Sequence, residues 1–159
     1  MVQDEWDVIV IGGGHAGIEA ACASARLGSE TLLLTLDQSR IGFLSCTPAM
    51  GGLAKGQLIK EIDALGGVMG VNTDWTAIQY RRLNLSKGPA VQGSRAQCDK
   101  ARYASHIQAF LRRVPNLRIA EAEVLTLRVR VGRGLDLTLS SRETLSARAV
   151  VITSGTFMG

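Results

Sequence analysis

Apolar residues along this chain follow two patterns, one typical of α-helices and one typical of β-strands. Near the start, residues 7–11 form a short β-branched run that ends in a glycine-rich turn at 12–17. An alanine-rich helical pattern follows over 16–27, and a second apolar run occupies 31–35. Strand, turn, helix and strand within about thirty residues are typical of a βαβ unit with parallel strands and a right-handed crossover. The pattern therefore predicts a doubly wound α/β fold.

The middle of the chain has a weaker pattern. Residues 36–56 are irregular and punctuated by glycine, and apolar residues then recur at helical spacing until the glycine pair at 66–67 stops them. The composition of the segment 70–93 predicts an extended segment that is interrupted by glycines. Apolar residues on one face predict an amphipathic helix over 94–114, which Pro115 ends.

From residue 117 to residue 153 the pattern is that of β-structure. Apolar and polar residues alternate over 125–131 and again over 135–139, with a glycine turn between. This alternation predicts a hairpin with one buried face. Residues 149–152 are continuously apolar, as expected of a buried strand in a parallel sheet.

Composition narrows the class of protein. The chain has 159 residues, of which 46% are hydrophobic and 20% charged, which is typical of a globular domain. No apolar run of about 18 residues predicts a membrane span, and the acidic start is unlike a signal peptide. Cys22, Cys46 and Cys98 are widely spaced, which argues against a disulfide framework and against a zinc or other metal site. We therefore expect a cytoplasmic protein.

The glycine turn carries the clearest chemistry. In the spacing Gly12-x-Gly14-x-x-Gly17, the first glycine permits a tight turn, the second lets a pyrophosphate approach the backbone, and the third lets helix and strand pack closely. The helix N-terminus then favours an anion. The place of the usual ribose-binding acid holds Thr35, whose hydroxyl can also bind a ribose, with Asp37 just beyond. The spacing predicts dinucleotide binding and leaves FAD and NAD open.

Basic residues are concentrated in the second half of the chain. The net charge is only +4, yet the segment 81–118 contains a single acidic residue, Asp99, among its cations. These cations are Arg81, Arg82, Lys87, Arg95, Lys100, Arg102, Arg112, Arg113 and Arg118. Such a cluster can hold nucleic-acid phosphates, or it can be a solvated helix face.

Several segments, together with the glycine turn, resemble the MnmG family, also called GidA. They are residues 7–21, 45–52 with Lys55 and Gly56, 63–67, 84–91, 95–99 and 151–157. Ser-Cys-x-Pro-Ala at 45–49 and Ser-Lys-Gly-Pro-Ala-Val at 86–91 are far more specific than the glycine turn, which many flavoproteins share. Thr47 and Met50 depart from the family pattern, which has Asn and Ile there. The resemblance covers essentially the whole chain.

The resemblance implies a Rossmann-like FAD-binding domain of the type found in flavoproteins with two dinucleotide-binding domains, carrying a β-hairpin or meander insertion. It implies that residues 1–159 form one N-terminal domain, incomplete at its C-terminal end, of a longer protein. The residues expected to bind FAD are Gly12, Gly13, Gly14, His15, Ala16, Gly17, Thr35, Val124, Thr153 and Gly155.

Family members are FAD-dependent enzymes that add an aminomethyl-type group at C5 of the wobble uridine of certain tRNAs. The resemblance implies NADH and methylene-tetrahydrofolate as co-substrates, an MnmE-type GTPase as partner and a homodimer when the protein is full length, with this chain inactive alone. Cys46 is expected to supply a thiolate that attacks uridine C6, or an acid or base at the reacting carbon. Lys87 and Arg95 are expected to contact tRNA.

Two other classes of function stay open at this point. A flavin-dependent disulfide reductase or related oxidase would share the glycine turn and the hairpin, but the sequence has no Cys-x-x-Cys or Cys-x4-Cys pair. A non-catalytic nucleotide-binding module would share the glycine turn alone. Flavin titration and an assay of disulfide reduction separate these classes.

Overall fold

The computed structural model describes residues 5–45, 47–132 and 134–155. In chain order, the helices and strands are β1 (Trp6–Ile11), α1 (His15–Arg26), β2 (Thr31–Thr35), β3 (Ala49–Gly51), α2 (Lys55–Ala64), α3 (Met69–Thr76), β4 (Ala77–Leu83), β5 (Gly93–Cys98), α4 (Lys100–Leu111), β6 (Leu117–Glu121), β7 (Val124–Val129), β8 (Leu135–Leu139) and β9 (Thr144–Ile152). Short 3₁₀ turns cover Gln38–Arg40 and Pro89–Val91. No helix in the described ranges is long and apolar enough to cross a membrane.

The chain divides into two compact units. Unit 1 consists of residues 1–41 and 110–159, and unit 2 consists of residues 42–109. Unit 2 is therefore one continuous segment, whereas unit 1 is assembled from the two ends of the chain.

Unit 1 contains a six-stranded sheet in the order β6-β2-β1-β9-β8-β7. The strands β6, β2, β1 and β9 are mutually parallel, and β9, β8 and β7 form an antiparallel meander. The βαβ unit and the meander predicted from the sequence are confirmed. The parallel strand order β6-β2-β1-β9, with β1 and β2 joined through α1, is that of a Rossmann-like α/β fold.

The core of unit 1 is mainly aliphatic, in keeping with an aromatic content of only 4% in the sequence. Strand β2 is buried over its first four residues, and α1 buries Ile18, Ala21 and Ala25. Another cluster joins Trp6 and Leu137 with β-branched and leucine side chains of β1 and β2. Small residues on α1 let the helix lie close to the sheet, and burial of the large side chains drives the packing.

Unit 2 has a three-stranded antiparallel sheet in the order β3-β5-β4, with α2 and α3 in the same unit. The expected extended excursion over 70–93 is wrong in its first part, since α3 continues to Thr76. Residues 69–76 carry no apolar periodicity, and the helix is held both by packing of Met69 against a small apolar cluster and by polar contacts. Thr76 Oγ1 donates to the Asn72 carbonyl at 2.7 Å, and the buried Asn72 side chain donates to the Tyr103 carbonyl at 3.2 Å.

The amphipathic helix predicted over 94–114 begins and ends inside that range. Residues 93–98 form β5, and α4 begins at Lys100 because the Asp99 carboxylate accepts from the Arg102 N–H at 3.0 Å, as a helix cap does. The predicted apolar stripe is confirmed, with Tyr103 and Leu111 both buried.

Burial in the β-rich part departs from expectation at two places. The apolar positions of β7 do not form a buried face, because this strand lies at the edge of the sheet and Val129 is 73% exposed. In β9, residues 149–152 form a strand parallel to β1, as predicted, but the predicted burial of this run is wrong, since Val151 is 37% and Ile152 is 61% exposed. A continuous apolar run specifies a strand, but burial also depends on which elements cover each face.

Candidate functional site

The turn between β1 and α1 is fixed by close backbone contacts. Gly12 has a φ of +111°, and a Cβ there would lie 2.5 Å from the Thr153 carbonyl oxygen. A Cβ on Gly17 would lie 1.8 Å from the Gly12 carbonyl oxygen. Only glycine fits either position, so helix α1 begins in contact with the strand that precedes it.

The middle of the same turn is open on one side. A Cβ on Gly13 would meet Ile41 at 2.8 Å and the Thr35 hydroxyl at 3.0 Å, whereas a Cβ on Gly14 would meet nothing within 4 Å. Gly14 is the N-cap of α1 in an extended conformation and has no side chain to cap the helix. The space above Gly14 is thus free for a ligand that accepts from the first N–H groups of the helix.

Thr153 closes the turn from the end of β9. Its N–H donates to the Ile11 carbonyl at 2.8 Å, and its hydroxyl lies 2.8 Å from the Ile11 carbonyl and 3.1 Å from the Gly12 carbonyl. Thr153 therefore holds the backbone of the glycine turn in place. Gly155, with a φ of +85° and open space where a Cβ would be, provides a second unobstructed stretch of backbone in the same unit.

The region at the end of β2 contains the Thr35 hydroxyl and two carboxylates, those of Asp37 and Glu121, that accept hydrogen bonds. Thr35 Oγ1 lies 3.3 Å from the Asp37 carbonyl. The Asp37 carboxylate accepts from the Ser39 N–H and hydroxyl, and these bonds hold its pKa below the usual range. Glu121, whose position in β6 pairs with Thr35, accepts from the Gln38 N–H at 2.7 Å. Sequence reasoning missed Glu121, and its only signal is its place at the end of the neighbouring strand.

The structure brings Gly12, Gly13, Gly17, Thr35 and Thr153 into one cluster. The other predicted residues of unit 1 lie around it in different ways. His15 and Ala16 begin α1, and Val124 begins β7, half-buried against the core and opposite Leu139. Contact of any of these residues with FAD stays a prediction.

Two of the three cysteines are buried. Cys22 lies in α1, where burial raises its pKa to about 11, and Cys98 ends β5, where burial also raises the pKa. Neither thiol has the exposure or the lowered pKa of a nucleophile. Cys46, the candidate nucleophile, lies outside the described residues.

The two residues predicted to contact tRNA lie in unit 2, on the β4–β5 hairpin. Arg95 is exposed in β5 between Gly51 of β3 and Arg81 of β4. Lys87 is exposed in the connecting loop, where its N–H donates to the Asn84 carbonyl and its own carbonyl accepts from the Gln92 amide. The hairpin thus carries exposed cations on a hydrogen-bonded frame.

Unit 2 also encloses a cavity of about 190 Å³, formed by β3, β4, β5, α2 and α3. Its polar lining includes Lys60, Asp63, Asp74 and Tyr80. The Tyr80 hydroxyl donates to the Asp74 carboxylate at 2.8 Å, and desolvation together with this bond raises its pKa to about 12. Within residues 5–45, 47–132 and 134–155, no group of three His, Cys, Asp or Glu residues could hold a metal ion.

Comparison with known proteins identifies relatives over nearly the whole chain. The family model described as glucose inhibited division protein A matches residues 7–159. The chain is 52% identical over 154 residues to a protein of Bacteroides thetaiotaomicron named tRNA uridine 5-carboxymethylaminomethyl modification enzyme MnmG, covering 97% of this chain and 24% of that protein. A protein of Nitratiruptor with the same name is 51% identical, with 97% of this chain and 25% of that protein covered.

Comparison with solved structures identifies the same family. The structure of Aquifex aeolicus GidA superposes with a TM-score of 0.93 at 47% identity, covering 99% of this chain and 26% of that one. The chain therefore spans about a quarter of the length of the relatives that it matches. A GidA-related protein of Thermus thermophilus, at 16% identity and a TM-score of 0.66, shares the fold. The match over residues 7–159 and the identity of about half to named members show that the chain belongs to the GidA (MnmG) family.

Proposed function

We propose that unit 1 binds FAD, with the pyrophosphate at the glycine turn and the N-terminus of α1. The observation that carries the proposal is the open space at Gly14, in a turn where Gly12 and Gly17 are held by backbone contacts at both ends. A side chain at Gly14 would fill the space that an anion needs to reach the helix N–H groups. The residues present therefore fit a dinucleotide.

The neighbouring residues would then hold the rest of the cofactor. We propose that the Thr35 hydroxyl binds the adenosine ribose, Val124 lies against the adenine, and Thr153 and Gly155 carry the backbone that covers the FAD. Thr153 positions the turn through the Ile11 and Gly12 carbonyls. The bound flavin would supply redox chemistry, and the protein would supply binding, orientation and electrostatics.

A flavin titration with a matched pair of glycine variants tests this site. Gly14→Ala should weaken FAD binding at least tenfold and lower the unfolding free energy by less than about 1 kcal/mol, because its Cβ fills open space at an ordinary φ of −75° and only the N-cap preference for glycine over alanine is lost. Gly88→Ala is the control, since it also meets nothing within 4 Å at a φ of −61° but lies in unit 2. Equal FAD affinity of Gly14→Ala and the wild type would contradict the proposal. NADH in the same titration separates the two dinucleotides that the glycine spacing leaves open.

At the level of the whole protein, we propose modification of tRNA. The support is the name shared by the relatives at about 50% identity, tRNA uridine 5-carboxymethylaminomethyl modification enzyme. In this proposal an aminomethyl-type group is added at C5 of the wobble uridine, with NADH and methylene-tetrahydrofolate as co-substrates. An MnmE-type GTPase is the partner, the full-length protein is a homodimer, and the compartment is the cytoplasm. That residues 1–159 are one incomplete FAD-binding domain is part of the same proposal.

Cys46 is proposed as the catalytic thiol of that reaction, adding to uridine C6 or acting as acid or base at the reacting carbon. The support is its place in the family-specific Ser-Cys-x-Pro-Ala segment and the buried state of the other two cysteines. In the full-length enzyme, Cys46→Ser should abolish uridine modification and leave FAD binding intact. Cys22→Ser is the matched control and should leave turnover in place. Wild-type modification by Cys46→Ser would remove Cys46 from the mechanism.

A further inference from the structure

We propose that the Arg81–Arg95 pair on the β4–β5 hairpin is a binding site for the phosphate backbone of RNA. The inference rests on the proposed function in tRNA modification and deepens it. It adds Arg81 to the predicted contact at Arg95, and it assigns the contact to one face of the hairpin rather than to the whole basic segment.

Strand register places the two arginines side by side. Arg81 of β4 pairs with Arg95 of β5, and Arg95 pairs on its other side with Gly51 of β3. Residues directly opposite each other on antiparallel strands have Cβ atoms about 5 Å apart and point to the same face of the sheet. Gly51 has no side chain, and a Cβ there would lie 2.2 Å from the Ser94 carbonyl oxygen, so the row across the sheet consists of two guanidinium groups and a glycine.

This arrangement is unfavourable without a ligand. Like charges directly opposite on neighbouring strands destabilise the pair. Neither Arg81 nor Arg95 forms an ion pair within residues 5–45, 47–132 and 134–155, and both are exposed. A phosphate group between them would turn the repulsion into two charge-assisted contacts, since the arginine fork matches phosphate geometry.

The surroundings of the pair favour a polyanion with hydrogen-bonding groups. No acidic residue occurs between Asp74 and Asp99, so the whole hairpin is free of carboxylates. One step further along the same face, Gln79 pairs with Gln97. Phosphates of nucleic acids are contacted by arginine, and their sugars and bases by amide side chains such as these. RNA is favoured among polyanions because the relatives are named as tRNA-modifying enzymes.

The opposite face of the hairpin provides the matched control. Arg82 pairs with Ser94, and Ser94, Ala96 and Tyr80 line the cavity of unit 2. Arg82 therefore has the same charge as Arg81 and is its chain neighbour, but it points to the other side of the sheet.

The test measures binding of an unmodified tRNA transcript with uridine at the wobble position, by fluorescence anisotropy over a series of KCl concentrations. Arg81→Ala and Arg95→Ala should each weaken binding about tenfold and lower the salt slope by about one. Arg82→Ala should change affinity less than about twofold. Arg81→Ala should also unfold at the same temperature as the wild type or higher, because it removes the repulsion.

Four outcomes would overturn the inference. They are equal weakening by Arg82→Ala, a lower unfolding temperature of Arg81→Ala, no binding of the transcript by the wild type, and equal competition by heparin and RNA, which would indicate any polyanion. Failure of the proposed function is measured separately, as absence of uridine modification by the full-length wild-type enzyme. FAD affinity should be unchanged in Arg81→Ala, and a loss there would assign the arginine to the flavin site instead.

Discussion

Two arginines of unit 1 form ion pairs, whereas the arginines of the β4–β5 hairpin in unit 2 form none within residues 5–45, 47–132 and 134–155. Arg130 in unit 1 contacts Glu5, and Arg148 contacts Asp7 at 2.8 Å. In the part of unit 2 that the structure describes, the arginines of the β4–β5 hairpin have no such partners. Paired charges near the ends of the unit 1 strands contribute to holding its sheet, whereas unpaired charges on a carboxylate-free surface are available to a ligand.

The two units also differ in what fixes their geometry. In unit 1 the decisive contacts are between backbone atoms, with Gly17 against the Gly12 carbonyl. In unit 2 they run through buried polar side chains, with Asn72 between α3 and α4. Gly12 and Gly17 of unit 1 therefore tolerate no added atom, whereas unit 2 depends on keeping its hydrogen-bonding groups.

Gly17→Ala should be the most damaging change. Its Cβ would lie 1.8 Å from the Gly12 carbonyl oxygen and 2.7 Å from the Thr153 hydroxyl, so β1 and α1 must move apart. We expect a loss of about 3 kcal/mol of unfolding free energy or more, measured by chemical denaturation. Gly14→Ala, three residues earlier in the same turn, should lose less than about 1 kcal/mol, which is the cost of alanine at an N-cap. Similar stability of the two variants would contradict the claim that the close contact between Gly17 and the Gly12 carbonyl fixes the turn of unit 1.

Asn72→Ala tests the polar contacts of unit 2. Asn72 is 2% exposed, its amide donates to the Tyr103 carbonyl, and its oxygen lies 2.6 Å from His106 Nδ1. Loss of both bonds should cost about 2 kcal/mol in chemical denaturation. Gln57→Ala, at an exposed site in α2, is the amide control and should cost less than about 0.5 kcal/mol. Equal effects of the two changes would show that α3 is held by something other than Asn72.

Thr153→Val keeps the shape of the side chain and removes its hydroxyl. The Gly12 carbonyl then loses its contact at 3.1 Å, while the Ile11 carbonyl keeps the Thr153 N–H. We expect a loss of about 1 kcal/mol, and Thr153→Ser should restore most of it. If valine is tolerated and serine is not, packing of the methyl group rather than the hydroxyl fixes the turn.

Asp7→Asn should have the smallest effect and should depend on pH. The Glu30 N–H and the Arg148 guanidinium both bind the Asp7 carboxylate and hold its pKa below the usual range. A carboxyl with a lowered folded-state pKa stabilises the fold above its unfolded pKa of about 4, and this contribution is lost as the pH falls through the folded value. The wild type should therefore unfold at a higher temperature than Asp7→Asn at pH 7, and the difference should shrink as the pH falls below the unfolded pKa of Asp7. A difference that stays constant with pH would contradict this origin.

The elements that the sequence predicts well are those with local signals. Glycines at fixed spacing between two apolar runs are enough to specify β1, α1 and β2, and β2 has the predicted bounds of Thr31–Thr35. The helix α3 has no such signal, because the buried Asn72 side chain stabilises it through a bond to the Tyr103 carbonyl that only the folded chain makes. The exposure of Ile152 is likewise invisible in an apolar run, since it depends on what covers the sheet.

In the candidate site, too, some features follow from local sequence signals and others depend on tertiary contacts. The glycine roles follow from spacing alone, and the structure places Gly12, Gly13 and Gly17 in the contacts that those roles require. The bonds of Thr153 to two carbonyls of the turn join residues 142 and 141 positions apart. Pairing of Arg81 with Arg95 depends on strand register, and a helix predicted over 94–114 hid it. The register between strands and the hydrogen bonds of the Thr153 hydroxyl depend on tertiary structure, and patterns in a single sequence do not predict them.

The bond between Thr153 and the glycine turn has a consequence for the order of events on the ribosome. Gly12 and Gly17 leave the exit tunnel early, but the residue that closes their turn is synthesised more than 130 positions later. All of unit 2 is translated before residue 110, so its hairpin and helices have their partners while unit 1 still lacks β6 to β9. Contacts between residues that are distant in sequence form slowly, and they form after the local contacts. The nascent chain therefore acquires its basic hairpin before its nucleotide-binding turn is complete.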